Sequence, residues 1–115
     1  MRLVNVDAPE RRQAFGGQAR AALVQLCQRQ LAEVTTQGVD RYGRTLAQLR
    51  CRGQDAASHL VGQGLAWVYP PVAAQYPQLL ALERGARGQR LGLWSQPRPQ
   101  PPWKYRQQHP RVAGD

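Results

Sequence analysis

Cysteine, acidic residues and long apolar runs are all scarce in this chain, and each scarcity closes off a class of protein. Cys27 and Cys51 are the only cysteines, too few and too far apart for a zinc signature, and no His stands at ligand spacing from either. They could form one disulfide in an exported protein, but buried free thiols are the commoner case, so the redox compartment stays open. No apolar stretch is long enough to cross a bilayer, and Met1-Arg2-Leu3-Val4-Asn5-Val6-Asp7 meets an acid too early for the apolar core of a signal peptide. As written, the chain is expected to be cytoplasmic with no membrane partner, and exported only if its true N-terminus lies further upstream. Lysine is nearly absent too: of 16 basic residues, Lys104 alone is not Arg. Only 7 acids oppose them, which leaves a formal charge of +9 and favours an anionic partner such as nucleic acid. Guanidinium forks suit bidentate phosphate contacts, although a GC-rich genome explains a preference for Arg equally well.

At 115 residues the chain supports one modest core, expected over residues 1–94. Arg2 to Val6 reads as a strand stopped by Asp7-Ala8-Pro9-Glu10, because Pro9 gives no amide to a ladder. From Phe15 to Gln30 the residues Phe15, Ala19, Ala22, Leu23, Leu26 and Cys27 recur at helical spacing, although Gly16 and Gly17 weaken the start. Leu31–Thr36 and Leu46–Cys51 read as a hairpin around Asp40-Arg41-Tyr42-Gly43-Arg44. Asp55 caps a short helix from Ala56 to Gln63 that Gly64 ends. Leu65–Tyr69 is an apolar segment before Pro70 and Pro71, and Pro77 stands near the start of a third helix that turns Leu79, Leu80, Leu82 and Ala86 inward. Residues 95–115, rich in Pro and Arg, are expected to form an extended tail. Trp67 and Trp94 read as core, Trp103 as the tail's anchor, and His59 and His109 as ordinary positions.

Cleaving a phosphodiester takes a base for water, positive charge for the phosphoryl oxygens and usually a metal. Glu10 is a candidate base, Asp7 a hard oxygen ligand, and Arg2 and Arg44 cations on the neighbouring loops. The same residues also suit plainer roles: a turn-capping acid, a first-turn acid at a helix start and a solvated turn cation. Alternation places Arg2 with Val4 and Val6, and Asp7 on the other face with Leu3 and Asn5, so spacing alone does not bring them together.

Three stretches in order, Arg2-Leu3-Val4-Asn5-Val6-Asp7-Ala8-Pro9-Glu10, Asp40-Arg41-Tyr42-Gly43-Arg44-Thr45-Leu46-Ala47 and Leu60-Val61-Gly62-Gln63-Gly64-Leu65-Ala66-Trp67-Val68-Tyr69, resemble the staphylococcal-nuclease-like (thermonuclease) family. The likeness continues through Glu83 to Arg87 and Gly92-Leu93-Trp94, and Pro101-Pro102-Trp103-Lys104-Tyr105-Arg106 is similar to the tail of bacterial members. The resemblance implies an OB-type β-barrel with three helices, and a calcium-dependent endonuclease that hydrolyses DNA and/or RNA to leave 3′-phosphate ends. By the same resemblance Glu10 is the general base, Arg2 and Arg44 bind the phosphate, Asp7 and the Ala8 main-chain carbonyl hold Ca²⁺, and Arg41 and Tyr42 lie beside the nucleotide. Read bottom-up, Tyr42 is as compatible with a half-buried turn aromatic as with a stacking or phosphate-binding one.

Against the family pattern the chain begins at the third strand, so a barrel lacking its first two strands is expected. It would be completed by an upstream segment, by pairing with a second copy or by a strand swap. Asp7 and one carbonyl make a poor cage for a cation that takes six to eight oxygens, so weakened calcium affinity is expected as well. The competing reading is a non-catalytic nucleic-acid-binding OB module, which needs only the cationic face.

Overall fold

The structure, a computed structural model, describes residues 2–29 and 31–110. The opening strand is in fact two. β1 (Arg2–Leu3) runs parallel to β4 (Thr45–Cys51), with Arg2 opposite Leu46 and Leu3 opposite Ala47. The chain then bends at Val4 and Asn5, and β2 (Val6–Asp7) pairs antiparallel with β6 (Trp67–Val68). The bend is tied on both sides, since Val4 N donates to Ala47 O and Asn5 O accepts from Tyr69 N, each at 3.0 Å.

The hairpin forms as expected, with longer arms. β3 (Ala32–Val39) pairs with β4 across a bulge between Thr36 and Gly38, and β5 (Gln54–Asp55) returns onto the end of β4. β3 lies at the sheet edge with all its residues exposed. Among the described residues the strands make two open sheets, β1–β4–β3 with β5 on β4, and β2–β6, and no closed barrel.

Helix α1 (Gly16–Cys27) buries Gly16, Ala19 and Leu26; Gln30, in the expected helix, lies outside the described residues. Asp55 caps α2 (Ala56–Gly62) as expected, its Oδ2 accepting from Ser58 N at 3.0 Å. Gly64 then takes φ 73° and packs against the Leu91 carbonyl, where no Cβ fits. Helix α3 (Pro77–Gly88) buries Leu79 and Ala86, but Leu82, expected in the core, is 38% exposed. The main core gathers Val6, Ala19, Leu60, Val61, Val68 and Leu79, so α1, α2, α3 and the short β2–β6 sheet share one apolar centre.

Two further expectations change. Cys27 and Cys51 are joined in a disulfide, Cα atoms 5.1 Å apart, which pins the end of α1 to the end of β4; free thiols, the commoner case, are not what this chain has. The tail is not simply extended: Pro102–Gln108 forms a fourth helix, α4, whereas three helices were expected. Pro101 and Pro102 sit at its N-cap and first position, where a missing amide costs nothing, and seven proline-free residues follow before Pro110. Trp103 anchors α4 as anticipated, its ring edge-on to Trp67 at 5.5 Å. Residues 111–115 of the tail lie outside the described residues. No helix among the described residues is long and apolar enough to cross a membrane.

Candidate active site

The bend at Val4 and Asn5 decides the site. It breaks the alternation that would hold Arg2 and Asp7 on opposite faces, and Arg2 Nη2 comes within 3.7 Å of Asp7 Oδ2. Arg2 also lies over the Tyr69 ring at 5.0 Å. Asp7 closes β2 with only 6% of its side chain exposed, and Glu10 stands three residues on at 27%.

The loop bearing Glu10 is held from three directions. Its backbone N–H donates to Gln13 Oε1 at 3.0 Å, and Gln13 N donates to the Glu10 carbonyl at 2.8 Å. Gln13 Nε2 donates in turn to Gln100 O at 2.6 Å, linking this loop to the segment ahead of α4. From below, Gly16 presses against the Glu10 carbonyl so closely that a Cβ would overlap its oxygen and lie 2.9 Å from its carbon. Gly16 looked like a weak helix start in the sequence; here it is what lets α1 begin beneath Glu10.

Arg44 reaches the site from the hairpin turn. Asp40 Oδ1 accepts from the Tyr42 and Arg44 amides at 2.8 and 2.9 Å, and Oδ2 accepts from Arg44 Nε at 2.8 Å. Burial acts to raise the Asp40 pKa, but these hydrogen bonds and the Arg44 charge outweigh it, and the carboxyl is held below its ordinary 3.8. Arg2, Asp7, Ala8, Glu10 and Arg44 together line one cleft of about 350 Å³. Arg41 and Tyr42 do not line it. Tyr42 is 69% exposed at the turn, not half-buried, with Arg41 and Arg44 at 5.1 and 5.6 Å from its ring.

One cleft residue appeared in the sequence reading only as part of the family-like tail, with no role in the site. Arg106 of α4 donates from Nη1 to Asp7 Oδ1 at 3.1 Å and to Glu10 Oε1 at 3.0 Å, and from Nη2 to Asp7 Oδ2 at 2.6 Å. The hydrogen bonds to Asp7 are the main reason its pKa is raised. The paired prolines and the clean stretch after them were the available signal for α4, but nothing local points across a separation of 99 residues.

The model of the staphylococcal nuclease homologue family matches residues 1–96. The chain belongs to this family. Similar proteins include a micrococcal nuclease of Shigella flexneri, 44% identical over 119 residues, spanning 92% of this chain and 67% of that one. Protein ParB of Escherichia coli is 43% identical over 120 residues, spanning 94% of this chain and 67% of ParB. An uncharacterized endonuclease of Escherichia coli O157:H7 is 39% identical over 107 residues, 92% and 69% of the two chains. Within this family fold the cleft gathers two carboxylates, Asp7 and Glu10, and five arginines, Arg2, Arg11, Arg20, Arg44 and Arg106, around one opening.

The resemblance also implies calcium, and the donor set as placed does not fit it. Both Asp7 oxygens and one of Glu10 are engaged by Arg106, and no group of three or more metal-ligating side chains of the His, Cys, Asp or Glu type occurs among the described residues. Ca²⁺ takes six to eight oxygens, and the guanidinium charge seated on these carboxylates opposes its approach.

Proposed function

We propose that this chain hydrolyses phosphodiester bonds of DNA and/or RNA as an endonuclease, with Glu10 as general base. The observation that carries the reading is the convergence of Arg2, Asp7, Glu10 and Arg44 on one cleft, in a family whose named members include nucleases.

The chemistry follows from placement. Arg2 and Arg44 each present a guanidinium fork to a phosphoryl group seated in the cleft, and their charge meets the negative charge that grows on its oxygens. Glu10 Oε1 is held by Arg106, while Oε2 makes none of these bonds and is the oxygen that takes a proton from water. The hydroxide forms its bond to phosphorus as the bond to the 5′ oxygen breaks; the departing oxygen takes a proton from solvent water to give the 5′-hydroxyl, the other product is the 3′-phosphate, and Glu10 then returns its proton to solvent. Asp7 and the Ala8 carbonyl would be the contact point for Ca²⁺ only with Arg106 displaced from Asp7. Arg41 and Tyr42, exposed on the turn that carries Arg44, are proposed to meet the nucleotide outside the cleft. The OB-type barrel belongs to this reading as well, with the β1–β4–β3 sheet as one part of its wall. Residues 1–94 are its proposed catalytic domain, with 95–115 as the tail.

The test is cleavage of labelled single-stranded DNA by the purified chain and by Glu10→Gln, with calcium and with chelator. Loss of a general base lowers the rate by about 10²–10⁴-fold, and the variant should still bind DNA. An undiminished rate in Glu10→Gln removes Glu10 as the base. Salt-sensitive binding by the unaltered chain with no product formed would favour the non-catalytic binding module instead.

A further inference from the structure

Asp7 is almost wholly buried and sits between two guanidinium groups, one from each end of the chain. Arg2 is the looser partner at 3.7 Å, whereas Arg106 makes a bidentate pair with both Asp7 oxygens and bridges to Glu10. Two carboxylates this close would repel one another without a cation between them, and the cation here is supplied by the chain itself. Arg106 is 38% exposed, so it can reach solvent, while only 6% of the Asp7 side chain is exposed.

We propose that Arg106 is a further residue of this site: an internal cation that competes with a divalent metal for Asp7 and Glu10 and so sets the site's metal affinity. The guanidinium bonds both Asp7 oxygens at 2.6–3.1 Å, so a divalent cation brought to the same carboxylate meets a positive charge already seated there, and metal binding is opposed until Arg106 moves away. Arg106 is fixed to α4, and α4 is held by Trp103 against Trp67 and by Gln100 against Gln13. When the metal enters, the guanidinium therefore swings out or the whole helix shifts, and the Trp103–Trp67 contact reports which. This inference rests on Asp7 being the metal ligand of the proposed site. It concerns binding and not cleavage, so a protein that never cuts DNA can still confirm it.

The experiment is a calorimetric titration of the full chain with Ca²⁺ alone, with no nucleic acid present, and tryptophan emission recorded alongside. Arg106→Gln removes the competing charge and should bind Ca²⁺ roughly 10- to 100-fold more tightly than the unaltered chain, the scale of lost charged hydrogen bonds. Arg106→Lys keeps the charge but loses the bidentate fork, and should fall between them. It also serves as the test if the Gln variant does not fold. Arg98→Gln, an exposed tail arginine outside the cleft, should match the unaltered chain. Equal or weaker calcium binding by the Arg106 variants overturns the proposal, as does the absence of calcium binding in every form. A change in tryptophan emission as the unaltered chain saturates, absent in Arg106→Gln, means that α4 moves. Unchanged emission together with the expected affinity order means that the side chain alone leaves.

Discussion

Gly16 and Gly17 are adjacent, both at the start of α1, yet alanine should act in opposite directions at the two. At Gly17 nothing lies within 4 Å of an added Cβ. There the substitution gains helix propensity, up to about 1 kcal/mol in a helix interior and less at this first turn. At Gly16 the same Cβ overlaps the Glu10 carbonyl oxygen, with Glu10 C at 2.9 Å and Arg11 O at 3.0 Å. Every atom it meets is backbone, so no side chain can swing aside, and the helix and the loop must part by on the order of 1 Å to regain ordinary contact. Overpacking of this kind costs about 1–3 kcal/mol, and for a chain of this length each kcal/mol lowers Tm by about 4 °C. Glu10 moves with its carbonyl, and a misplacement of about 1 Å in a reacting group costs on the order of 10²-fold in rate. Thermal unfolding followed by circular dichroism, with cleavage of labelled single-stranded DNA measured below both transitions, separates the two effects. If Gly16→Ala melts with the unaltered chain, or if Gly17→Ala is equally damaging, the wedge between α1 and the Glu10 loop is not what the structure indicates.

Two further outcomes follow from the covalent and ionic ties. Replacing both Cys27 and Cys51 with Ala opens a cross-link spanning 24 residues and should cost about 3.5 kcal/mol by the loop-entropy relation, read as a lower midpoint in urea; an unchanged midpoint contradicts that. Because the folded Asp40 carboxyl titrates below 3.8, the unfolded chain takes up that proton first as pH falls. Asp40 thus supports the turn fully above its ordinary value and loses that support as pH drops through the lower folded one. An NMR titration of the Tyr42 and Arg44 amides should give a midpoint under 3.8, and one at or above it would show that the carboxyl does not hold the turn.

Much of the frame was readable because its determinants are local. The Asp55 cap, the turn built on Asp40 and Gly43, and the apolar spacing of α1 each act within a few residues, and each element stands where its signals put it. The site was readable only through family likeness, because its assembly depends on a bend. Period-two alternation assumes a continuous strand, and β1 leaves one sheet for another at Val4 and Asn5, which reverses the side on which Asp7 emerges. Leu82 failed for a related reason, since helical spacing marks a broad stripe whereas burial takes only part of it, Leu79 in the main core and Ala86 against Leu93 and Trp94. Gly16 illustrates a limit of propensity: a residue that is unfavourable in a helix is required where another backbone passes close by.

The distribution of acids explains why so cationic a chain can hold a carboxylate site. Asp40 orients Arg44, Asp55 caps α2, and Glu83 accepts from the Val68 amide while pairing with Arg87. Asp7 and Glu10 hold Arg106. Among the described residues only Glu33, on the exposed edge strand, has no such partner. The few acids are therefore placed where they fix a backbone amide or aim a guanidinium, and they leave most of the arginine charge unneutralised and available to a polyanion. That field also bears on the metal. A net charge of +9 repels a divalent cation on approach, and Asp7 is flanked by Arg2 and Arg106 at close range. A phosphodiester entering the cleft lowers that positive potential and offers oxygens of its own. It also gives the arginines an alternative partner, so nucleic acid and metal should each favour the other's binding.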